Sequence, residues 1–305
     1  MTDLHRSSAL LTSLAAVLAL ATAACGDTID VGGFGGGGGD EGGAGQGGAT
    51  SSTGGSGTVG STGGGTGQIE IHLTSTTAPF NHTDGLAGQT PTMHSAGLKS
   101  LKLFRSDTDD SPLTVFDLGA DAKTVDFADG ADTLVYTATA GDLTAGNFVR
   151  ARVVYSWVKY EVAATIHTNG LDLPGKFDNL QVLSDDSNVD GDTFDAGHYE
   201  YLFTTSGQSF PQSGENAPIP EWSGVGGFQV VSEGGEWAYY FPVTLPIDPT
   251  LETPLRVDLA VNMHESFRWQ DQTMTGFTTG VFDTTTTTFE PVKQFGANSF
   301  ELTVQ

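Results

Sequence analysis

The sequence predicts an all-β fold, an antiparallel β-sandwich with long loops, on three observations. Apolar residues recur with a period of two almost everywhere after residue 67, no stretch there keeps a 3.6-residue period, and threonine runs such as 284–288 favour extended backbone. In 68–74, Ile69, Ile71 and Leu73 alternate with Gln68, Glu70 and His72, the pattern of a half-buried strand. The stretch 149–166 starts with Ala151, Val153, Tyr155 and Trp157 on one face and continues with Val158, Tyr160, Val162, Ala164 and Ile166 on the other. One parity slip near Trp157 therefore marks a bulge or a strand passing between sheets. Phe228 to Val231 and Trp237 to Phe241 flank Ser232-Glu233-Gly234-Gly235-Glu236, whose glycine pair suits the positive φ of a tight hairpin turn. Trp237, Tyr239, Phe241, Val243 and Leu245 form one apolar row, and Pro242 on the opposite face suggests an edge position. Leu255, Val257, Leu259, Val261 and Met263 make another row, and Phe300, Leu302 and Val304 close the chain as a last strand. Residues 68–305 thus form the body, a sandwich of eight or more strands, with a division into two sub-domains near 167–185 left open.

Composition removes several classes of function. The 305 residues carry 12 Lys+Arg against 37 Asp+Glu, a formal charge of -25. The basic residues are scattered singly among acids, which excludes nucleic acid and anionic lipid surfaces as electrostatic partners. A single cysteine excludes a disulfide framework. The one long apolar run lies near the N-terminus, which excludes a multi-pass membrane protein.

That run, Ala9 to Ala24, follows a short region with His5 and Arg6 and precedes Cys25. Sixteen helical residues rise only about 24 Å, short of the roughly 30 Å of hydrocarbon, so residues 1–25 read as a secretion signal. Thr22-Ala23-Ala24-Cys25 resembles the lipobox of bacterial lipoproteins, with Thr22 where Leu is usual. The resemblance implies cleavage before Cys25, lipid on its thiol, and a membrane anchor. Gly26 rather than Asp after the cysteine implies the outer membrane, with the body periplasmic or surface-exposed. Residues 26–67 hold 21 of the 42 glycines and too little apolar surface to offset ordering, so they read as a disordered tether.

Leu143-Thr144-Ala145-Gly146-Asn147-Phe148-Val149-Arg150-Ala151-Arg152-Val153, preceded by Leu101-Lys102-Leu103-Phe104, resembles an uncharacterised domain of bacterial lipoproteins. The resemblance implies a transthyretin- or immunoglobulin-like sandwich and supplies no catalytic residues.

One segment carries the ligands of a hard cation. Asp186, Asn188, Asp190, Gly191 and Asp192 resemble the calcium loop of the EF-hand and dockerin families. The twelfth position is Gly197 rather than an acid, so Asp195 or Glu200 is left to complete a Ca²⁺ set. The alternative is a solvated acidic turn, since Asp, Asn and Gly are what turns use. The histidines lack close metal spacing, and His264-Glu265-Ser266-Phe267-Arg268 lacks a second histidine. Glu265 shares the parity of Met263, Phe267 and Trp269, which makes it an inward carboxylate or the sign of a bulge. Trp222, in a Pro-rich loop, either stacks on a sugar or partner or plugs one end of the sandwich. Trp157, Trp237 and Trp269 read as core. The chain is expected to be a non-enzymatic, envelope-anchored lipoprotein with a ligand-binding or structural sandwich and an unknown protein or glycan partner. The alternatives are a secreted glycan-active hydrolase using paired carboxylates and a carbohydrate-binding module.

Overall fold

A computed structural model describes residues 64–168, 170–217, 219, 228–285 and 290–305, together with the backbone of 222–223. Cys25 and the proposed signal and tether up to residue 63 lie outside the described residues.

The alternating rows become strands because each can bury one face and leave the other wet. A four-stranded sheet is built from β1 (Gln68–Thr76), β6 (Asp132–Thr139), β16 (Leu255–Asn262) and β20 (Ser299–Val304), in the order β20-β16-β1-β6. Within it β1 and β16 run parallel, joining the first row of the body to one near its end. Ile69, Ile71, Leu73, Val257, Leu259 and Leu302 are among its buried side chains.

The larger sheet is organised by β7 (Gly146–Thr168), 23 residues long. Along one edge of β7 lie, end to end, β15 (Glu236–Ile247) and β8 (Leu171–Val182); along the other runs β3 (Met93–Phe104). The sheet extends from β8 to β11 (Tyr199–Thr205) and β12 (Gln208–Gly214), and from β15 to β14 (Gln229–Glu233) and β13 (Trp222–Ser223). β3 also carries β4 (Leu113–Asp117) and β5 (Lys123–Asp126), and β18 (Asp283–Thr285) pairs in parallel with β7. A small sheet of β2 (Ala87–Gln89), β17 (Phe267–Trp269) and β19 (Val292–Gln294), and a hairpin of β9 (Ser187–Val189) and β10 (Asp192–Phe194), complete the fold. The two main sheets share one core, in which Phe300 of β20 stacks 5.2 Å from Phe241 of β15 and 6.3 Å from Tyr155 of β7. An apolar cavity of about 100 Å³ remains between them, lined by Ile69, Leu103, Leu245 and Leu302.

The parity slip is a bulge within one sheet. Trp157 pairs with Gly97 and Tyr155 with Leu98, so Ser156 has no partner on β3 and the next side chains change face. A compensating step at Lys99 restores the register two residues later. Tyr155 therefore stays in the core while Trp157 turns to the outer face, one residue earlier than the sequence pattern places the change. The region 167–185, left open as a division, falls largely inside the continuous β7–β8 ladder. Gly234 and Gly235 form the expected tight turn between β14 and β15, with φ of +59° and +77°. Pro242 lies two residues past Tyr240, which forms the last described pair of the β14–β15 ladder with Gln229. Residues 64–67, expected to belong to the tether, are pinned instead: Gly65 and Gly67 donate to the carbonyls of Pro249 and Leu251, and Ala140 donates to that of Gly67. A β-carbon on Gly65 would sit 2.1 Å from the Leu251 oxygen, so only glycine fits there.

Candidate functional site: an acidic groove on the outer face

Five strands of the large sheet, β3, β7, β8, β11 and β12, pair in a register that stacks two rows of side chains on the face turned away from the core. One row is Ser95, Lys159, Leu180, Glu200 and Ser213; the next is Met93, Glu161, Asp178, Leu202 and Pro211. Between them runs a groove of about 890 Å³, with the backbone of His94, Tyr160, Asn179, Tyr201 and Gln212 beneath it. At about 4.8 Å per strand it is roughly 19 Å long, the reach of about six extended residues.

The polar groups along the groove are unevenly balanced. Lys176 donates to Glu161 Oε1 at 2.7 Å, and Thr92 Oγ1 donates to the same oxygen. These two bonds hold the Glu161 carboxyl below its ordinary range. Asp178, directly opposite on β8, is pushed up by partial burial and then by the Glu161 charge. The pair therefore consists of a firmly ionised carboxylate beside one that holds its proton more readily. Lys159, the lysine on the groove wall, is drawn away to Asp190 Oδ2 at 2.6 Å. Both lysines are thus neutralised by protein carboxylates, while Asp178 and the exposed Glu200, whose Oε1 is 3.6 Å from His198 Nε2, line the groove. Met93, 65% exposed, and Leu202 and Pro211 supply apolar wall.

Beneath the groove, His94 is fully enclosed against Phe127 and Tyr160, with ring centroids 4.7 and 6.1 Å away. Burial alone lowers its pKa to about 3, so the ring is neutral, and its Nδ1 has no partner. Asn179 Nδ2 donates to the Tyr160 hydroxyl at 2.7 Å.

The expected calcium loop is the hairpin β9–β10. Asp190 and Gly191 form its two-residue turn with φ of +54° and +100°, the Asp-Gly signature of a tight hairpin. Asn188 Oδ1 accepts from the Gly191 N–H at 3.1 Å, and Asp195 Oδ1 accepts from the Asp186 N–H at 3.4 Å. No three of the carboxylates of Asp186, Asp190, Asp192 and Asp195 bring oxygens within 4.8 Å of one another. The physical reason is on the hairpin's inner face. Val189 and Phe194 pack with Leu180 and Val182 around Trp157, a second small core on the outside of the sheet, and a loop wrapped round an ion would uncover that indole. The Ser156 bulge assists the docking, since its freed carbonyl accepts from Leu183 N–H at 2.8 Å and from Ser187 Oγ at 3.1 Å.

Other expected residues are placed as follows. Trp157 and Trp269 are buried and Trp237 is partly so. Trp222 joins the short edge strand β13 opposite Val230 rather than a free loop, and its side chain lies outside the described residues. Glu265 sits in the turn after β16, in the left-handed region at φ +48°, which explains its parity without an inward carboxylate. Arg150 and Arg152 have structural partners: Arg150 lies over the Tyr240 ring at 4.2 Å, and Arg152 is clamped by Glu233 and Glu236 at 2.7 and 2.9 Å. The groove itself was not foreseen. Its signal was the run of polar residues opposite the second apolar row of β7, Lys159 and Glu161, which finds meaning only once β3, β8 and β11 are in register.

Comparison with family models, curated proteins and solved structures finds no match to this chain.

Proposed function

We propose that this protein is a non-enzymatic, envelope-anchored binding module. Its lipid sits on Cys25, its tether spans residues 26–63, and its sandwich presents the acidic groove to an extended, positively charged polypeptide segment. The observation that carries this reading is the groove across β3, β7, β8, β11 and β12, whose one lining lysine, Lys159, is already paired with Asp190 while Asp178 and Glu200 line it. Walls that combine Met93, Leu202 and Pro211 with Glu161, Asp178 and Glu200 suit a segment carrying both aliphatic and basic residues. The charge of the chain, -25, draws such a partner in and makes the association salt-sensitive.

The glycan-active alternative has less support. Tyr160 and Tyr201, the aromatic residues beneath the groove, share the parity of core-facing rows rather than standing on its walls as a stacking platform. Glu161, directly opposite Asp178 on the β7–β8 ladder, is already taken up by Lys176 and Thr92 rather than held free as the second carboxylate of a two-carboxylate glycosidase. Calcium enters the proposal only through an opening of the β9–β10 hairpin that would gather Asp186, Asn188, Asp190, Asp192 and Asp195.

Fluorescence anisotropy of a labelled (Lys-Leu)₄ peptide with the full chain tests the reading. Saturable binding that falls at least tenfold in D178N/E200Q, and falls again as salt is raised, supports it. Equal binding by the double variant, or cleavage of a polysaccharide by the wild-type protein, overturns it.

A further inference from the structure

A second site lies away from the groove, where the loop between β1 and β2 folds over the turn between β16 and β17. It joins His82 to His264 and Glu265, residues more than 180 positions apart in the chain. One ligand atom from each of the three lies within 4.8 Å of the other two, and all three side chains are only partly buried. Among the described residues no other trio of histidine, cysteine or carboxylate side chains converges in this way.

Several features set the three groups in place. His82 Nε2 lies 3.1 Å from the His264 carbonyl oxygen, to which it donates, and this leaves the lone pair on Nδ1. A ligating imidazole is usually held so, with its second nitrogen on a backbone carbonyl. The two rings lie nearly parallel, 21° apart, with centroids 6.2 Å from each other. The His264 Nδ1 accepts from the Phe80 N–H at 3.3 Å, a long bond that His264 would give up on ligating an ion. Glu265 adopts φ +48°, a conformation that costs a non-glycine residue energy, and its N–H is anchored by Thr90 Oγ1 at 2.8 Å. Behind its carboxylate stands Arg268, 2% exposed, whose Nη1 is 3.6 Å from Glu265 Oε2 while its Nε donates to Asp84 Oδ2 at 3.1 Å. The guanidinium is thereby committed chiefly to Asp84, and the outer side of Glu265, 44% exposed, remains open to solvent.

We propose that His82, His264 and Glu265 bind a divalent transition-metal ion of the zinc class. Two imidazoles and a carboxylate select such ions over calcium and magnesium, which prefer all-oxygen shells. Bonds of about 2.0–2.1 Å in a tetrahedral shell place ligand atoms about 3.3 Å apart, so the side chains need to close by no more than about 1.5 Å from their present spacing. Three protein ligands leave a fourth position for water or for a donor group of a partner.

Isothermal titration of the metal-free full chain with Zn²⁺ tests the site. The expected result is one ion per chain, undisturbed by millimolar Ca²⁺ or Mg²⁺, with affinity at least tenfold lower in H82Q and in H264Q and unchanged in the control H72Q. Binding that persists equally in H82Q and H264Q, or no stoichiometric binding, overturns the assignment. A second measurement needs no variant. Zn²⁺ should protect His82 and His264 of the wild-type chain from diethyl pyrocarbonate, as read by peptide mass spectrometry against the same chain without the ion. Equal modification with and without Zn²⁺ refutes the proposal even where a variant fails to fold.

Discussion

Replacing Gly97 by alanine probes the packing that turns the acidic hairpin into a lid. Gly97 lies opposite Trp157 across the β3–β7 ladder, and a β-carbon there would stand 2.5 Å from the indole Nε1, 2.8 Å from Cε2 and 3.0 Å from Cδ1. The indole is rigid, 7% exposed, and wedged by Leu180, Val182 and Val189, so it cannot yield without moving the hairpin. Overpacking of this kind costs about 1–3 kcal/mol. For a body of this size that is a fall in Tm of about 2–12 °C. The cost belongs to the contact rather than to β3, because alanine is otherwise preferred to glycine in a strand by about 0.5–1 kcal/mol. In a W157A background, itself destabilised by loss of the indole, G97A should therefore be neutral or slightly stabilising. Thermal unfolding of the four proteins of this double-mutant cycle, followed by far-ultraviolet dichroism, measures the coupling. A G97A variant as stable as wild type, or one whose loss is fully additive with W157A, refutes the packing described.

Three further outcomes follow from other parts of the chain. His94 takes up a proton below about pH 6.5 when unfolded but only near pH 3 when folded, because burial disfavours its charged form. Between those values the unfolded state holds one more proton, so this residue removes about 1.4 kcal/mol of stability per pH unit as acid is added, an effect absent above pH 6.5. H94F should flatten the acid limb of stability against pH by about that slope, and an unchanged limb contradicts the buried neutral ring. Calcium added in millimolar amounts after chelation should leave Tm unchanged while the β9–β10 hairpin is docked; a rise of several degrees would show that the hairpin opens to wrap an ion. Intact-mass analysis of protein extracted from membranes should show acyl mass on a chain beginning at Cys25, whereas an unmodified N-terminus rejects the anchor.

The fold was readable where a physical constraint acts along a few consecutive residues. Alternation in 68–74 and 255–263 sets which faces are buried, and the Gly234-Gly235 pair sets its turn. The bulge near Trp157 was legible too, because a parity slip in a row of large apolar side chains has few other causes. Pairing partners were not legible. That β1 lies beside β16, or that β8 follows β15 along the same edge of β7, depends on contacts distant in sequence. Both candidate sites are products of such contacts: Glu161 and Asp178 meet across the β7–β8 ladder, and His82 meets His264 over 182 positions. The 186–195 segment illustrates the opposite case. Its oxygen-bearing residues have the spacing of a wrapped loop, while Val189 and Phe194, to which that spacing is blind, dock it on Trp157.

Hydroxyl-radical footprinting of the full chain with and without the (Lys-Leu)₄ peptide tests the acidic groove most directly. Met93, on the groove wall and 65% exposed, should lose most of its oxidation when peptide is bound, while Met274, 42% exposed and outside the groove lining, should be oxidised as before. Unchanged oxidation of Met93 at saturating peptide, or protection centred on another face of the sandwich, would contradict the account.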